Sequence, residues 1–338
     1  MPKIFDPGPL GEHALEYLHL LRALGRSMRT RESGFRTFAL WLEKRGIRGI
    51  TEVTADVLSA WRVEMAGRLH PRTLELRVGE LRRFFLFLHS RGKIPRNPAE
   101  TLPHSNPPRT SAHVFTVEEV RRLLKEGVAG ITWTRNRGLE GFARLTAYTL
   151  FHLIYAAGLR RSEALGLVVR DLDLEERLLT IRKTKFYKER TIPIGRRAAQ
   201  NLRAYLAERR LRQGELFPRD PVFAAPAHPG RPPGPMDGSV AWHFFHAMLV
   251  ACGLRRKGER LRVAAGDKPH IHSLRHAFAC HRLLKWYRDG ADLTHKLFLL
   301  SAYMGHRGPD ETVHYLRSTE AILAEAKGRF AGYLLPVR

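Results

Sequence analysis

Four short segments carry side chains suited to holding a phosphate or moving a proton, each at a place where the chain must turn. In Ala157-Gly158-Leu159-Arg160, Gly158 can end a helix and Arg160 follows at the junction with the next element. A guanidinium there offers paired donors that match two phosphate oxygens. Lys183, Lys185, Lys188 and Arg190 lie in a basic segment, KTKFYKER, between two β-prone runs, where a hairpin lysine can reach a ligand and protonate a leaving oxygen. His272-Ser273-Leu274-Arg275 reads as the opening of a helix, so His272 and Arg275, three apart, point the same way. Imidazole titrates near neutrality and can shuttle a proton. Met304-Gly305-His306 is followed nine residues later by Tyr315. A phenol with a pKa near 10 needs help to act as a nucleophile, and cationic neighbours would lower that value.

Singly, each segment has a plainer reading: an arginine at a helix end on the surface, a solvated charge run, a helix start with incidental charges, a packed tyrosine. Their conjunction in one order within one chain is what points to chemistry. No acidic cluster suited to Mg²⁺ and no Cys/His spacing suited to zinc accompanies them, and His243/His246 and His272/His276 read as helix neighbours rather than ligands. The expectation is therefore chemistry with neither cofactor nor metal.

The elements that position these groups fall into two parts. Pro103 to Thr110, PHSNPPRT, holds three prolines and no apolar residue, so no helix runs through it; the expected division is 1–102, a linker at 103–112, and 113–338. Before the linker the pattern is four amphipathic helices: about 10–24, about 29–45, one opened by Thr54 as N-cap to about Arg68, and one opened by Pro71. In the last, Leu74, Val78, Leu81, Phe85 and Leu88 form one apolar stripe. Phe35, Phe38, Trp41, Phe84 and Phe85 read as core. After the linker, Thr116 and Glu119 form a capping box, and a nearly all-apolar helix covers 141–157. Two short strands, Leu178–Arg182 and Thr191–Ile194, flank the basic hairpin. Helices follow at about 196–212, 239–252, 273–288, 292–304 and 319–330, with a proline-rich loop at 218–238. The expected fold is mainly α with a small antiparallel β-sheet: a four-helix N-terminal domain, then an α+β domain.

Composition agrees with a polyanion as partner. Lys and Arg total 58 against 33 Asp and Glu, a formal charge of +25 spread along the chain rather than gathered in a tail. Solubility charge is the bland alternative. Two cysteines without a CxxC exclude a disulfide framework, and neither a signal-peptide core nor a membrane-length apolar run is present, so the expected location is cytoplasmic.

The order Gly-Leu-Arg corner, hairpin lysine, His-x-x-Arg, Gly-His and tyrosine resembles the tyrosine recombinase (phage integrase) family. The likeness covers the second domain and reaches more weakly into the first, a helical core-binding domain in that family. It implies a site-specific DNA recombinase or integrase, in which Tyr315 attacks a scissile phosphate to hold the 3′ end as a phosphotyrosine. Arg160 and Arg275 would clamp the non-bridging oxygens, His306 would hydrogen-bond the phosphate, and His272 would be the base on the tyrosine. Lys185 would be the acid for the leaving 5′ oxygen, its five-residue step to Arg190 fitting the family's Lys-x-x-Lys-x-Arg pattern, with Lys183 as runner-up. Met304 stands where the family has leucine, and Phe186-Tyr187 are bulkier than usual. The implied partners are double-stranded DNA, further copies of the chain in a homo-oligomer (a tetramer on two DNA sites, the tail 316–338 docking on its own or an adjacent subunit) and accessory recombination proteins, with the protein associated with the nucleoid. Two other readings stay open: a type IB topoisomerase-like enzyme, and a DNA-binding protein without strand exchange.

Overall fold

The computed structural model describes residues 6–26, 28–105, 113–132, 139–182, 189–224, 234–256 and 268–317. Lys183, Lys185, positions 106–112 of the linker, the middle of the proline-rich loop and the tail helix expected at 319–330 lie outside the described residues. The chain divides into two compact units, Met1–Arg109 and Thr110–Arg338.

The first unit holds α1 (Gly11–Ala23), α2 (Arg29–Glu43), α3 (Ala55–Ala66) and α4 (Pro71–Ser90). Thr54 caps α3, its hydroxyl accepting from the Val57 N–H at 3.3 Å, and Pro71 occupies the first turn of α4, where its missing N–H costs nothing. The α4 stripe of Leu74, Val78, Leu81, Phe85 and Leu88 is buried, and α4 packs on α1, α2 and α3. Phe35, Phe38, Trp41, Phe84 and Phe85 all sit in this core, with Phe35 edge-on to Phe84 and Phe38 edge-on to Trp61. Arg82, on the far side of α4, donates to the carbonyls of Ala99, Leu102 and Pro103 and so ties down the segment that leaves the unit.

The second unit is built round α6 (Glu140–Ala157), which packs on α8 (Arg196–Gln213), α9 (Gly238–Ala251) and α10 (Ile271–Arg288). Ten of its side chains are buried, Phe142, Leu150, Phe151 and Ile154 among them, which makes it the axis of the core. Ahead of it, α5 (Val117–Arg122) opens with the Thr116/Glu119 capping box in both directions, at 2.8 and 3.1 Å. The short α7 (Arg161–Leu165) follows the α6 corner, and α11 (Leu293–Met304) and α12 (Asp310–Arg317) close the described chain. Among the described residues no helix is long and apolar enough to cross a membrane.

The sheet differs from expectation. It has three strands rather than two, in the order β1 (Leu172–Asp173), β2 (Leu178–Ile181), β3 (Arg190–Pro193), all antiparallel, with Leu179 opposite Ile192. A two-residue strand is too short to show an alternation in the sequence. A helix also carries Tyr315, α12, which the apolar pattern did not announce. The α10 helix begins at Ile271 rather than 273, placing His272 inside its first turn.

Gly158 ends α6 in the left-handed conformation (φ +59°), and a Cβ there would lie 2.4 Å from Phe278 Cδ1. Strain and overpacking act together, so Gly158→Ala lowers unfolding free energy by about 1–3 kcal/mol in urea titration. Gly141, in the first turn of α6 with open space where its Cβ would sit, is the control: Gly141→Ala leaves stability unchanged or raises it by up to about 1 kcal/mol.

Candidate active site

Three arginines converge on one buried carboxylate. Glu163, in α7, is 7% exposed. Its Oε1 accepts from Arg160 Nη1 at 2.8 Å and Arg190 Nη1 at 3.1 Å; its Oε2 accepts from Arg190 Nη2 at 2.9 Å and from the Arg160 backbone N–H at 2.9 Å. Arg275 Nη1 stands 3.8 Å from Oε2. The Arg190 contact is the two-pronged fork that a planar guanidinium makes with a carboxylate. Burial alone would raise the Glu163 pKa, but the hydrogen bonds and charges of Arg190 and the hydrogen bonds of Arg160 bring it down to about 2.

The end of α11 supplies the remaining acceptors. Its last carbonyls have no intrahelical partner, and three in succession each take a different arginine. Tyr303 O accepts from Arg190 Nε at 3.0 Å, Met304 O from Arg275 Nη2 at 2.8 Å, and Gly305 O from Arg160 Nη2 at 3.0 Å. Gly305 turns the chain here at φ +67°, and a Cβ on it would lie 2.6 Å from Arg190 Nη1. The α6 end contributes likewise: Gly158 O accepts from Arg275 Nη1 at 2.6 Å. Gly305 thus serves the arginines twice, by ending a helix and by leaving room for Arg190, while Gly158 ends α6, offers its carbonyl to Arg275 and leaves room for Phe278.

Arg275 is 1% exposed; burial first, then the charge of Arg160, pull its pKa down to about 10, so it stays charged at neutral pH. Its Nη2 also meets His306 Nε2 at 2.8 Å, and His306 Nδ1 meets Thr312 Oγ1 at 2.7 Å, which fixes the His306 ring from both sides. Tyr315 is 3% exposed, its ring stacked on His306 at 6.0 Å and tilted by 59° to His276 at 5.2 Å. Arg275 and Arg160 draw its pKa down, as the sequence suggested, but burial is the larger effect and the net direction is upward. His272 is half-buried, and its pKa falls to about 4, by burial first and then the charges of Arg275, His270 and Arg160. Burial and these charges thus favour the neutral imidazole. Its ring meets that of His276 at 4.7 Å.

Arg160, Arg275, His306 and Tyr315 are thus in one cluster, and His272 joins it through His276. Lys185 is outside the described residues. Glu163 was not singled out in the sequence, and Arg190 only as part of a basic run. The spacing of Arg160 and Glu163, three apart at a helix start, was the available signal, since it is that of a capping box. Thr312 carried none. Among the described residues no group of three or more His, Cys, Asp or Glu is arranged to hold a metal ion.

Glu163→Gln leaves three guanidiniums facing one another without their carboxylate, so it destabilises the unit by about 3 kcal/mol or more near neutral pH. Because folding depresses this carboxyl from 4.5 to about 2, its contribution is whole above the unfolded value and is lost as pH falls through the folded one. Urea titrations at pH 7 and pH 3 check this: the gap between wild type and variant is smaller at pH 3.

The chain matches the Phage integrase family model over residues 114–321. It is 30% identical over 298 residues to tyrosine recombinase XerC 2 of Ralstonia nicotianae, covering 86% of this chain and 76% of the relative, and 30% identical over 257 residues to tyrosine recombinase XerD of Rhizobium meliloti, covering 75% and 73%. Among solved structures it is similar to the Tn1549 transposon integrase in complex with a circular intermediate DNA, with TM-score 0.62, 18% identity, and coverage of 90% of this chain and 94% of that one. A lambda integrase dimer bound to a core site is similar at TM-score 0.60 and 15% identity, covering 90% and 76%. With its helical architecture and small antiparallel sheet, and with a family match over most of its length, the chain belongs to the phage integrase family of tyrosine recombinases.

Proposed function

We propose that this protein is a site-specific DNA recombinase that cuts and rejoins strands through a 3′-phosphotyrosine, with Tyr315 as nucleophile. The observation that carries this reading is one cluster in which Arg160 and Arg275 share Glu163 while Arg275 also meets His306 and Tyr315. Arg160 and Arg275 take the non-bridging oxygens of the scissile phosphate and offset the charge that builds in the transition state; His306, already held by Arg275 and Thr312, adds a hydrogen bond to it. The Tyr315 oxygen forms a bond to phosphorus as the bond to the 5′ oxygen breaks. His272 takes the phenol proton, and Lys185 gives a proton to the leaving 5′ oxygen. Attack by a 5′ hydroxyl reverses the step, so one phosphodiester is exchanged for another and no outside energy source is needed.

The electrostatics support these assignments. Burial first, and then the charges of Arg275, His270 and Arg160, bring His272 to about 4, and a phosphodiester would bring negative charge among those guanidiniums. Its arrival raises the basicity of that imidazole when a proton must be accepted. Substrate binding thus switches on the base.

The partner is double-stranded DNA, consistent with the DNA complexes among the solved relatives. On this reading 1–102 is a core-binding domain, 103–112 a linker and 113–338 the catalytic domain; the protein works in the cytoplasm on nucleoid DNA, as a tetramer joining two duplexes, with accessory recombination proteins. A topoisomerase-like enzyme would share the covalent step but act on one duplex. A simple DNA-binding protein would have no need of Tyr315 beside both arginines.

The test is an SDS-resistant adduct assay on a nicked duplex carrying the protein's recombination site. Wild type gives a covalent band; Tyr315→Phe gives none while still retarding the DNA. Lys185→Ala slows adduct formation by about 10²-fold or more, and Lys183→Ala does not. A band that survives Tyr315→Phe would sink the assignment of the nucleophile. Exchange between two duplexes separates recombinase from topoisomerase.

A further inference from the structure

Tyr315 and His272, the nucleophile and its base on the reading above, are separated by a third aromatic group, His276. It lies on α10 one turn beyond His272, so the two share a face of the helix. Its ring stands 4.7 Å from that of His272 at 86° and 5.2 Å from that of Tyr315 at 59°. His276 is 8% exposed. One turn further on the same face, Cys280 Sγ donates to the Tyr315 carbonyl at 3.7 Å. The row His272, His276, Cys280 therefore runs along α12 and meets the tyrosine at both its ring and its backbone. On the opposite side, His306 stacks on the Tyr315 ring and is itself held by Arg275 and Thr312.

We propose that His276 is a positioning residue for Tyr315: its imidazole, between the base and the nucleophile, sets the angle and depth at which the phenol meets the arginine-held phosphate. The inference rests on Tyr315 being the nucleophile and His272 the base. Packing alone does not account for the residue. A buried imidazole must give up its hydration, which an apolar ring in the same place would not require. Its hydrophobic neighbours include Phe278, Ala279, Leu283, Leu300 and Met304, and among them His276 is a polar ring that meets the rings of both His272 and Tyr315. It acts on the rate through Tyr315 and takes no part in holding DNA.

The test compares His276→Phe, which keeps an aromatic ring and removes both ring nitrogens, with His276→Gln, which keeps a donor and an acceptor. Adduct formation on a nicked duplex is timed in single turnover, and DNA affinity is measured separately by gel retardation. His276→Phe is expected to slow adduct formation by about 10- to 100-fold with affinity held within about twofold, and His276→Gln to recover to within about fivefold of wild type. Adduct formation by His276→Phe at the wild-type rate overturns the proposal, and so does a His276→Gln rate no better than that of His276→Phe, or a loss of DNA affinity that accounts for the slower rate. If His276→Phe loses its cooperative melt, His276→Leu replaces it as the apolar variant under the same criteria. Absence of an adduct in the wild type would instead count against the phosphotyrosine reading itself.

Discussion

The second unit depends on a way to bury positive charge. Arg160, Arg190 and Arg275 repel one another, and two of them are well inside the protein. The solution is one carboxylate, Glu163, together with the end of α11, where the last two helical carbonyls and that of the Gly305 cap take one arginine each. Neither part suffices alone. The carboxylate balances charge but has too few lone pairs for three guanidiniums; the carbonyls, at the negative end of the helix dipole, supply directed acceptors. The left-handed turn at Gly305 leaves room for Arg190 and that at Gly158 leaves room for Phe278, since a side chain would collide in each place.

The same burial that makes the arginines rigid also sets the proton chemistry. Desolvation is the largest influence on Tyr315 and on His272, and it pushes both toward their neutral forms. On the proposed reading, a phosphodiester would change the local field in the direction that raises the basicity of His272, while the arginines already favour the tyrosinate.

Much of this was legible in the sequence, and for identifiable reasons. Arg160, His272, Arg275, His306 and Tyr315 stand at helix ends or a fixed step from a glycine, so local signals mark them. The axis helix α6 and the stripe of α4 were readable because burial of a whole face leaves a periodic trace. Glu163 was not readable as a hub, since its partners come from the α7 start, β3 and α10 and meet only on folding. Arg190 looked like one more charge in a basic hairpin, yet is 13% exposed and fully engaged. The direction of the Tyr315 shift was misjudged because a sequence displays cationic neighbours and hides desolvation. The strand β1 and the helix α12 are short, and short elements owe their existence to tertiary contacts rather than to pattern.

The arrangement separates what must stay still from what must approach. The α6 end and α7, which carry the Arg160 corner and Glu163, belong to the large core, as does the start of α10 through Ile271, Leu274 and Ala277. Tyr315 belongs to a smaller cluster with Phe278, Ala279, Cys280, Leu283, Leu300 and Met304. Pre-organised donors contribute to a transition state only when they need not rearrange as charge develops, and packing into a core of this size provides that rigidity. On the proposed reading the nucleophile has a different requirement, to close on phosphorus and then carry a covalent link to DNA, and the smaller cluster keeps it apart from the packing that holds the arginine clamp. Met304 and Gly305 join the two, because the helix that ends there packs beneath the tyrosine and hands its carbonyls to the clamp. The tyrosine and the arginine clamp are therefore referenced to the same stretch of backbone.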